Sequence, residues 1–395
     1  MVNQIYLIAR EFAENKGSYA GFIQEFAKYV FSQGYKVTIL CCQIKNQPKF
    51  EKLPYADVYR FTIPKVRIPM LGMNLDYLTL ALHVRRYFKK NPPSSEDVII
   101  ANSRAALGVS NHRYVLRMGQ PAFTFLKNME IAKDEVSILT RIARAVHFSI
   151  QYFLERVCVK NALAFICSSH ESFTLFTNYY GGKNKPYFVP HSGVKVSDLQ
   201  NGKKILIEGK KLLFVSAGKE RIRKGVIYLE RVLSELFKEF RDLKLIHIGE
   251  KFPWNVPDWC KERIISVGRV PWSEMKNYYA TADIVVFCSL NEWIPNALFE
   301  AMASGLPIVT SDIEGIHECL THLKEGYIYR RGDIKGLKEG IEFMLKNQKA
   351  RQEMAKNARL KAQNFRYTEY SKKLLKFIED INSNKFVKSV NLFKD

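Results

Sequence analysis

The stretch "DIVVFCSLNEWIPNALFEAMASGLPIVTSD", residues 283–312, decides how this chain is read. Residues 283–290 are a short apolar, β-branched run, the pattern of a parallel strand buried on both faces. Asn291 to Ile294 form the loop at its carboxyl end, and Pro295 fits the first helical position, where its missing N–H costs nothing. Ser304, Gly305 and Pro307 end that helix before the next strand begins. Helical spacing puts Asn296, Ala297, Glu300 and Ala303 on one small, polar face and Leu298, Met302 and Gly305 on an apolar one. A face that small lets a ligand lie against the helix start, where the amides around Ala297 and Leu298 can meet an anion. Glu300, one to two turns deeper, can accept hydrogen bonds from two neighbouring hydroxyls such as a ribose diol. Glu292, on the loop, reaches the other side of the phosphates. The plainer alternative makes both carboxylates ordinary surface acids.

Working outward, short apolar runs alternate with longer amphipathic stretches: "QIYLIA", "AGFIQEFAKYVFSQGY", "KVTILCC", then "DVIIANS" and "LAFICSS". This rhythm argues for α/β architecture, parallel sheets covered by helices. The polar, turn-rich stretch 196–209 reads as a linker, after which "KLLFVSAG", "LKLIHIGE", "RIISVGR" and "DIVVFCS" restart the rhythm. The expectation is two doubly wound domains, 1–195 and 210–367, facing each other across a cleft, with the last helix, within 368–395, packing back on the first. In such sheets ligands lie beyond the carboxyl ends of the strands.

Each domain should therefore offer a loop to a ligand. In the first, "ENKGSYAG" (14–21) lets Gly17 bring backbone close to a ligand at a helix N-terminus, although a plain tight turn fits as well. In the second, "FVSAGKERIRKGV" (214–226) is richer: Gly218 leaves the strand tightly, and Lys219, Arg221, Arg223 and Lys224 crowd four positive charges into six residues. Such crowding costs self-repulsion unless an anion neutralises it, and a diphosphate is the natural guest. The alternative is an exposed loop of a basic protein.

Composition narrows the classes. Of 395 residues, 47% are hydrophobic and 13% aromatic, which excludes a disordered or fibrous chain. Seven cysteines without CxxC spacing, most within apolar runs, read as core thiols of a reducing compartment, with no metal site. The start "MVNQIYLIAREF" lacks a basic segment and breaks its apolar run at Arg10, so the expectation is a cytoplasmic protein, peripheral at the inner face of the cell membrane if it touches one. The net charge of +22 is concentrated in part over residues 60–90, where Arg60, Lys65, Arg67, Arg85, Arg86, Lys89 and Lys90 face one acid, Asp76. Basic charge among apolar residues suits an anionic membrane surface, and equally a solvated helix face. Nucleic acid is not expected, because no RNP, helix-turn-helix or zinc-finger pattern occurs.

Glu292 and Glu300, with seven residues between them, resemble the signature of the retaining glycosyltransferases of family 4, which have the GT-B fold. "AGKERIRKG" resembles that family's Gly-Arg loop followed by Lys-Gly, "VPHSGV" its Asn-Gly-Val turn, "VGRVPWSEMKNYYATADIVV" the stretch before the signature, and "IEGIHECL" its Gly-Gly-x-x-Glu loop. The resemblance is strong over 185–345 and loose before it. It implies transfer of a sugar from a uridine- or guanosine-diphosphate sugar to a glycan or lipid-linked acceptor hydroxyl, with retention of configuration and no metal or other cofactor. The setting it suggests is bacterial surface polysaccharide or lipopolysaccharide synthesis. Carried over by position, Lys219 and Lys224 would bind the diphosphate, Glu292 the sugar and Glu300 the ribose. Asn296, Ala297 and Leu298 would offer amides to sugar and phosphate, Val270 would lie against the base, and Gly17 and Gly218 would approach the diphosphate. Lys219, Lys224 and Glu292 would thus carry the catalysis. Departures are Lys219 in place of arginine, Trp293 and Glu314 in place of glycines, and no clear counterpart of the family's donor-side histidine, His112 being a weak substitute. A nucleotide-sugar 2-epimerase of the same fold, or a non-catalytic partner subunit, are the alternatives.

Overall fold

The computed structural model describes residues 3–14, 19–44, 46–64, 72–124, 138–191, 193–216 and 221–383. Within these, the chain divides into two compact units. One comprises the described residues up to 190 together with those from 367 onward, and the other spans 191–366.

The first unit is built on an eight-stranded sheet: β1 Gln4–Ile8, β2 Lys36–Cys42, β3 Phe50–Leu53, β4 Ala56–Phe61, β5 Val98–Asn102, β6 Val115–Arg117, β7 Ala164–Ile166 and β8 Tyr187–Phe188. Their order is β3-β4-β2-β1-β5-β6-β7-β8. β1 lies parallel between β2 and β5, with Leu7 beside Ile39 and Ile100. The exception is β3, an antiparallel edge folded onto β4 through Pro54 and Tyr55, a hairpin that the α/β rhythm did not announce. The helices used below are α1 Tyr19–Ser32, α2 Gly72–Lys90, α3 Ile138–Asn161 and α4 His170–Tyr180. At the start of α4 Ser169 and Ser172 exchange hydrogen bonds between side chain and backbone, a reciprocal cap that satisfies two otherwise orphaned donors.

The second unit holds a six-stranded, all-parallel sheet: β9 Lys211–Ser216, β10 Lys244–Gly249, β11 Ile264–Gly268, β12 Ile284–Phe287, β13 Ile308–Ser311 and β14 Tyr327–Tyr329, in the order β11-β10-β9-β12-β13-β14. Successive residues feed opposite faces, as the two-residue strand period requires. Leu212, Phe214 and Val286 join one core with α6 Val226–Glu239, while Leu213 and Val285 join another with α8 Asn296–Ser304. Both faces are therefore covered, which explains why these strands read as continuous apolar runs.

One boundary differs from the sequence reading, and the last helix lies where that reading put it. The stretch 196–209 is part of the second unit: α5 Val196–Gln200 buries Val196 and Leu199. The Lys203 and Ile205 amides then donate to Asn277 and Thr281, each at 2.8 Å. A polar composition had hidden two buried anchors and a backbone satisfied by side chains. The final helix, α9 Tyr367–Asn382, lies in the first unit against α1, with Tyr370 edge-on to Phe22 at 5.3 Å and Leu374, Phe377 and Ile378 buried in its core.

Among the described residues no helix is long and apolar enough to cross a membrane. All seven cysteines are free and buried, and burial pushes the Cys41, Cys42 and Cys288 thiols up to about 12, so they are inert core residues at neutral pH.

Candidate active site

The site grows from two loops at neighbouring strand ends. Behind β9, Ile222 to Gly225 form a turn before α6, and Gly225 has φ +68°. A Cβ there would sit 1.7 Å from the Cys288 carbonyl oxygen, so only glycine lets the turn press against the end of β12. The contact is sealed by the Leu290 amide donating to the Arg223 carbonyl at 2.9 Å.

That approach delivers Lys224 to Glu292. The ammonium, almost fully buried, donates to both carboxylate oxygens at 2.6 and 2.7 Å, and Ser289 Oγ donates to Glu292 Oε2 at 2.9 Å. An Arg223 guanidinium nitrogen stands 3.6 Å away. Burial would raise the Glu292 pKa, but the two cations and the hydrogen bonds outweigh it and hold the carboxyl below the usual range. Glu292 is therefore a carboxylate at neutral pH.

Glu300 has a different set of partners. On α8 it accepts from Trp272 Nε1 at 3.0 Å and Tyr279 OH at 2.8 Å, both on α7 Trp272–Thr281. Burial outweighs these two neutral donors, and its pKa is raised. Two accepted bonds leave a carboxylate with acceptor capacity for further hydroxyls. Val270, half-buried, packs on the same core just before α7.

The start of α8 corrects three details. Helical geometry begins at Asn296, and Pro295 is extended at φ −73°, ψ 141°, one position earlier than its chemistry suggested. The Leu298 amide is not available to an anion, because it donates to the Pro295 carbonyl at 2.9 Å. The Ala297 amide has no backbone acceptor among the described residues. Ala303 is fully buried, so the accessible face is Asn296, Ala297, Glu300 and Ser304.

Of the four cations expected to meet an anion, Arg221 is engaged elsewhere. It forks onto both Glu230 oxygens at 2.6 and 2.7 Å and stacks over Phe252. Arg60, counted among the basic residues of 60–90, is likewise buried and paired with Glu51 at 2.6 Å. His112 packs its ring against Phe88 in the first unit, and burial lowers its pKa. Gly17, Gly218, Lys219, Lys65 and Arg67 lie outside the described residues.

Sequence reasoning missed Ser289, Trp272, Tyr279 and the His191–Glu318 contact at 2.8 Å. The last joins "VPHSGV" to "IEGIHECL", two segments singled out separately. Glu314 is buried and held by Arg331 at 2.7 Å. Among the described residues there is no cluster of three or more His, Cys, Asp or Glu side chains that could hold a metal ion.

Residues 198–361 match the family model of the glycosyl transferases group 1. The Lys224–Glu292, Arg221–Glu230 and Arg331–Glu314 contacts and the partners of Glu300 fall within this matched stretch, whereas Arg60, His112 and His191 lie outside it. Its relatives include an uncharacterized glycosyltransferase of Haemophilus influenzae, 28% identical over 173 residues, 42% of this chain and 48% of that protein. The amylovoran biosynthesis glycosyltransferase AmsK of Erwinia amylovora is 43% identical over 77 residues, 18% of this chain and 19% of that one. The capsular polysaccharide biosynthesis glycosyltransferase CapM of Staphylococcus aureus is 26% identical over 154 residues, 35% and 40% respectively. The chain spans about half the length, or less, of the curated relatives it matches. Among solved structures, the sucrose-phosphate synthase of Thermosynechococcus elongatus aligns over 97% of this chain and 100% of that one, at TM-score 0.77 and 16% identity. WaaG, a glycosyltransferase involved in lipopolysaccharide biosynthesis, aligns over 95% and 99% at TM-score 0.70 and 16% identity. The fold is GT-B.

Proposed function

We propose that this chain is a retaining glycosyltransferase that moves a sugar from a uridine- or guanosine-diphosphate sugar to a hydroxyl of a glycan or lipid-linked glycan, without a metal ion. The setting that fits is bacterial surface polysaccharide, lipopolysaccharide or related glycan synthesis, at the cytoplasmic face of the cell membrane. The observation that carries this reading is the buried Lys224–Glu292 pair, built by a glycine that no other residue can replace.

In the ligand-free pair Glu292 neutralises Lys224. An arriving diphosphate, more highly charged, would take over the ammonium and Arg223 and free Glu292 to accept from a sugar hydroxyl. Lys224, with Lys219, would then face the leaving diphosphate as charge develops on it, the work a metal does elsewhere. Glu300, with Trp272 and Tyr279 behind it, would hold the ribose. Gly218, Val270, Asn296 and Ala297 would line the donor site, with Leu298 contributing through its packing. The acceptor oxygen would attack the face the diphosphate leaves, a phosphate oxygen taking its proton, so no protein nucleophile is required. The outward residues of 60–90 would meet anionic lipid.

The test is thermal shift against uridine and guanosine diphosphates and their sugars, followed by turnover of the wild type, Lys224→Ala and Glu300→Ala. One nucleoside should raise the melting temperature, Glu300→Ala should weaken that binding, and Lys224→Ala should slow transfer at least about tenfold. No shift with any nucleotide, or wild-type turnover in both variants, would overturn the assignment.

A further inference from the structure

Helix α3 of the first unit buries polar side chains and exposes a row of apolar ones. Along most of its inward face the buried side chains are polar, His147, Gln151 and Glu155, spaced four residues apart, with the apolar Cys158 and Val159 buried only near its end. His147 Nδ1 meets Asn74 Nδ2 at 3.3 Å, and Gln151 donates to Glu155 at 2.6 Å. Glu155 also accepts from the Ala122 amide at 3.0 Å and from Tyr180 OH. Its outward face is apolar. Leu139 is 80% exposed, Ile142 57%, Val146 53%, Phe153 66% and Val157 46%. At 1.5 Å per residue this stripe runs about 27 Å along the helix.

A helix surrounded by water alone would sit the other way round, apolar face to the core. Here the inward polar contacts fix the rotation, so the outward stripe is a consequence of specific bonding and not of a loosely placed helix. The stripe also exceeds the scattered single apolar residues of an ordinary surface.

Charge bears on what could cover this stripe. The only acid of α3 is Glu155, which is buried, whereas Arg141, Arg156 and Lys160 are exposed. The neighbouring helix α2, reached through Asn74, repeats the pattern. Leu78 and Leu82 are exposed, Arg86, Lys89 and Lys90 stand beyond them, and its single acid, Asp76, faces Arg10 at 3.6 Å. A second copy docked stripe to stripe would bring Arg141, Arg156 and Lys160 of both chains together with no exposed acid on the helix to pair them. An anionic surface has no such conflict, and a helix apolar on one side and fringed with basic residues is suited to lie in its headgroup region.

We propose that the outward face of α3 is the element that seats this protein on an anionic lipid bilayer. This deepens the proposed membrane contact by naming the helix that makes it, and it stands on the geometry of α3 whether or not the chain transfers sugars. The test is co-sedimentation of the full chain with phosphatidylcholine vesicles, with and without phosphatidylglycerol, at about 50 mM and about 500 mM salt. Wild type should bind the phosphatidylglycerol vesicles, weaken with salt and ignore pure phosphatidylcholine. Ile142→Ser/Phe153→Ser, at exposed positions, should reduce binding at least about tenfold without changing the melting temperature or the nucleotide thermal shift. Arg141→Glu/Arg156→Glu should abolish the preference for the anionic lipid. Absence of wild-type binding, or undiminished binding by both double variants, would overturn the proposal. So would a wild-type dimer in sedimentation velocity that Ile142→Ser/Phe153→Ser dissociates in the absence of vesicle binding. Vesicle binding without any nucleotide shift would sink the transferase reading and leave this one standing.

Discussion

Glu292 and Glu155 are the same side chain in two buried settings, and they titrate in opposite directions. In the second unit Glu292 faces two cations, Lys224 and Arg223, and its pKa is held down against burial. In the first unit Glu155 is bonded by an amide, a carboxamide and a phenol, with the Arg104 charge acting on it without a hydrogen bond between them, and its pKa is raised because burial outweighs all four. Neutral donors satisfy a buried carboxyl without making its charge welcome, whereas a cation in contact does both. Glu300, with only Trp272 and Tyr279, sides with Glu155. The first unit thus spends its buried polar groups on fixing a helix, and the second places a charged pair where a charged ligand could exchange with it.

The comparison breaks most visibly at Gly225. Gly225→Ala should cost about 3 kcal/mol or more, through both the positive φ and the collision with the Cys288 carbonyl, read as a lowered urea midpoint. If the variant is as stable as wild type, the pair is not held by this turn. Next, Glu155→Ala strands the Ala122 amide, Gln151 and Tyr180 without their acceptor and should cost about 3 kcal/mol, while Glu155→Gln, which keeps one carbonyl oxygen, should cost about 1. Equal losses would mean that the network does not anchor α3.

The smallest effect is the sharpest test of sign. Because the folded pKa of Glu292 lies below the ordinary 4.5, its carboxylate adds stability that is present above that pH and lost as pH falls through the folded value. For Glu155 and Glu300 the folded pKa lies above 4.5, so their share of stability is present at low pH and declines as pH rises from 4.5 toward the folded value. Melts from about pH 2.5 to pH 7 should therefore show the gap between wild type and Glu292→Gln widening with pH across the acid end of the range, and the gap to Glu155→Gln narrowing above pH 4.5. Parallel curves for the two variants would contradict the contrast.

Much of the fold was legible because buried parallel strands leave continuous apolar runs, and "DIVVFCSL" and "KLLFVSAG" say so without help from the rest of the chain. The spacing that puts Lys224 one residue before a strand-to-helix glycine was legible too. Arg221 was not: its partner Glu230 lies nine residues on, within α6, and a cluster of charges does not reveal which member turns inward. The partners of Glu300 come from the preceding helix, a tertiary contact that spacing within one segment cannot encode. Nor does helical periodicity tell which face of α3 is buried, since an apolar stripe reads identically whether it points into the protein or away from it.

The return of α9 to the first unit has a consequence for how the protein is made. Phe22 and Phe26 emerge from the ribosome early, yet the side chains that complete their cover, Tyr370, Leu374 and Phe377, are synthesised only after the whole second unit. The amino-terminal half must wait with part of its core unclosed while its neighbour can already fold. Truncations just before residue 367 should accordingly leave the second unit intact and the first dependent on chaperones.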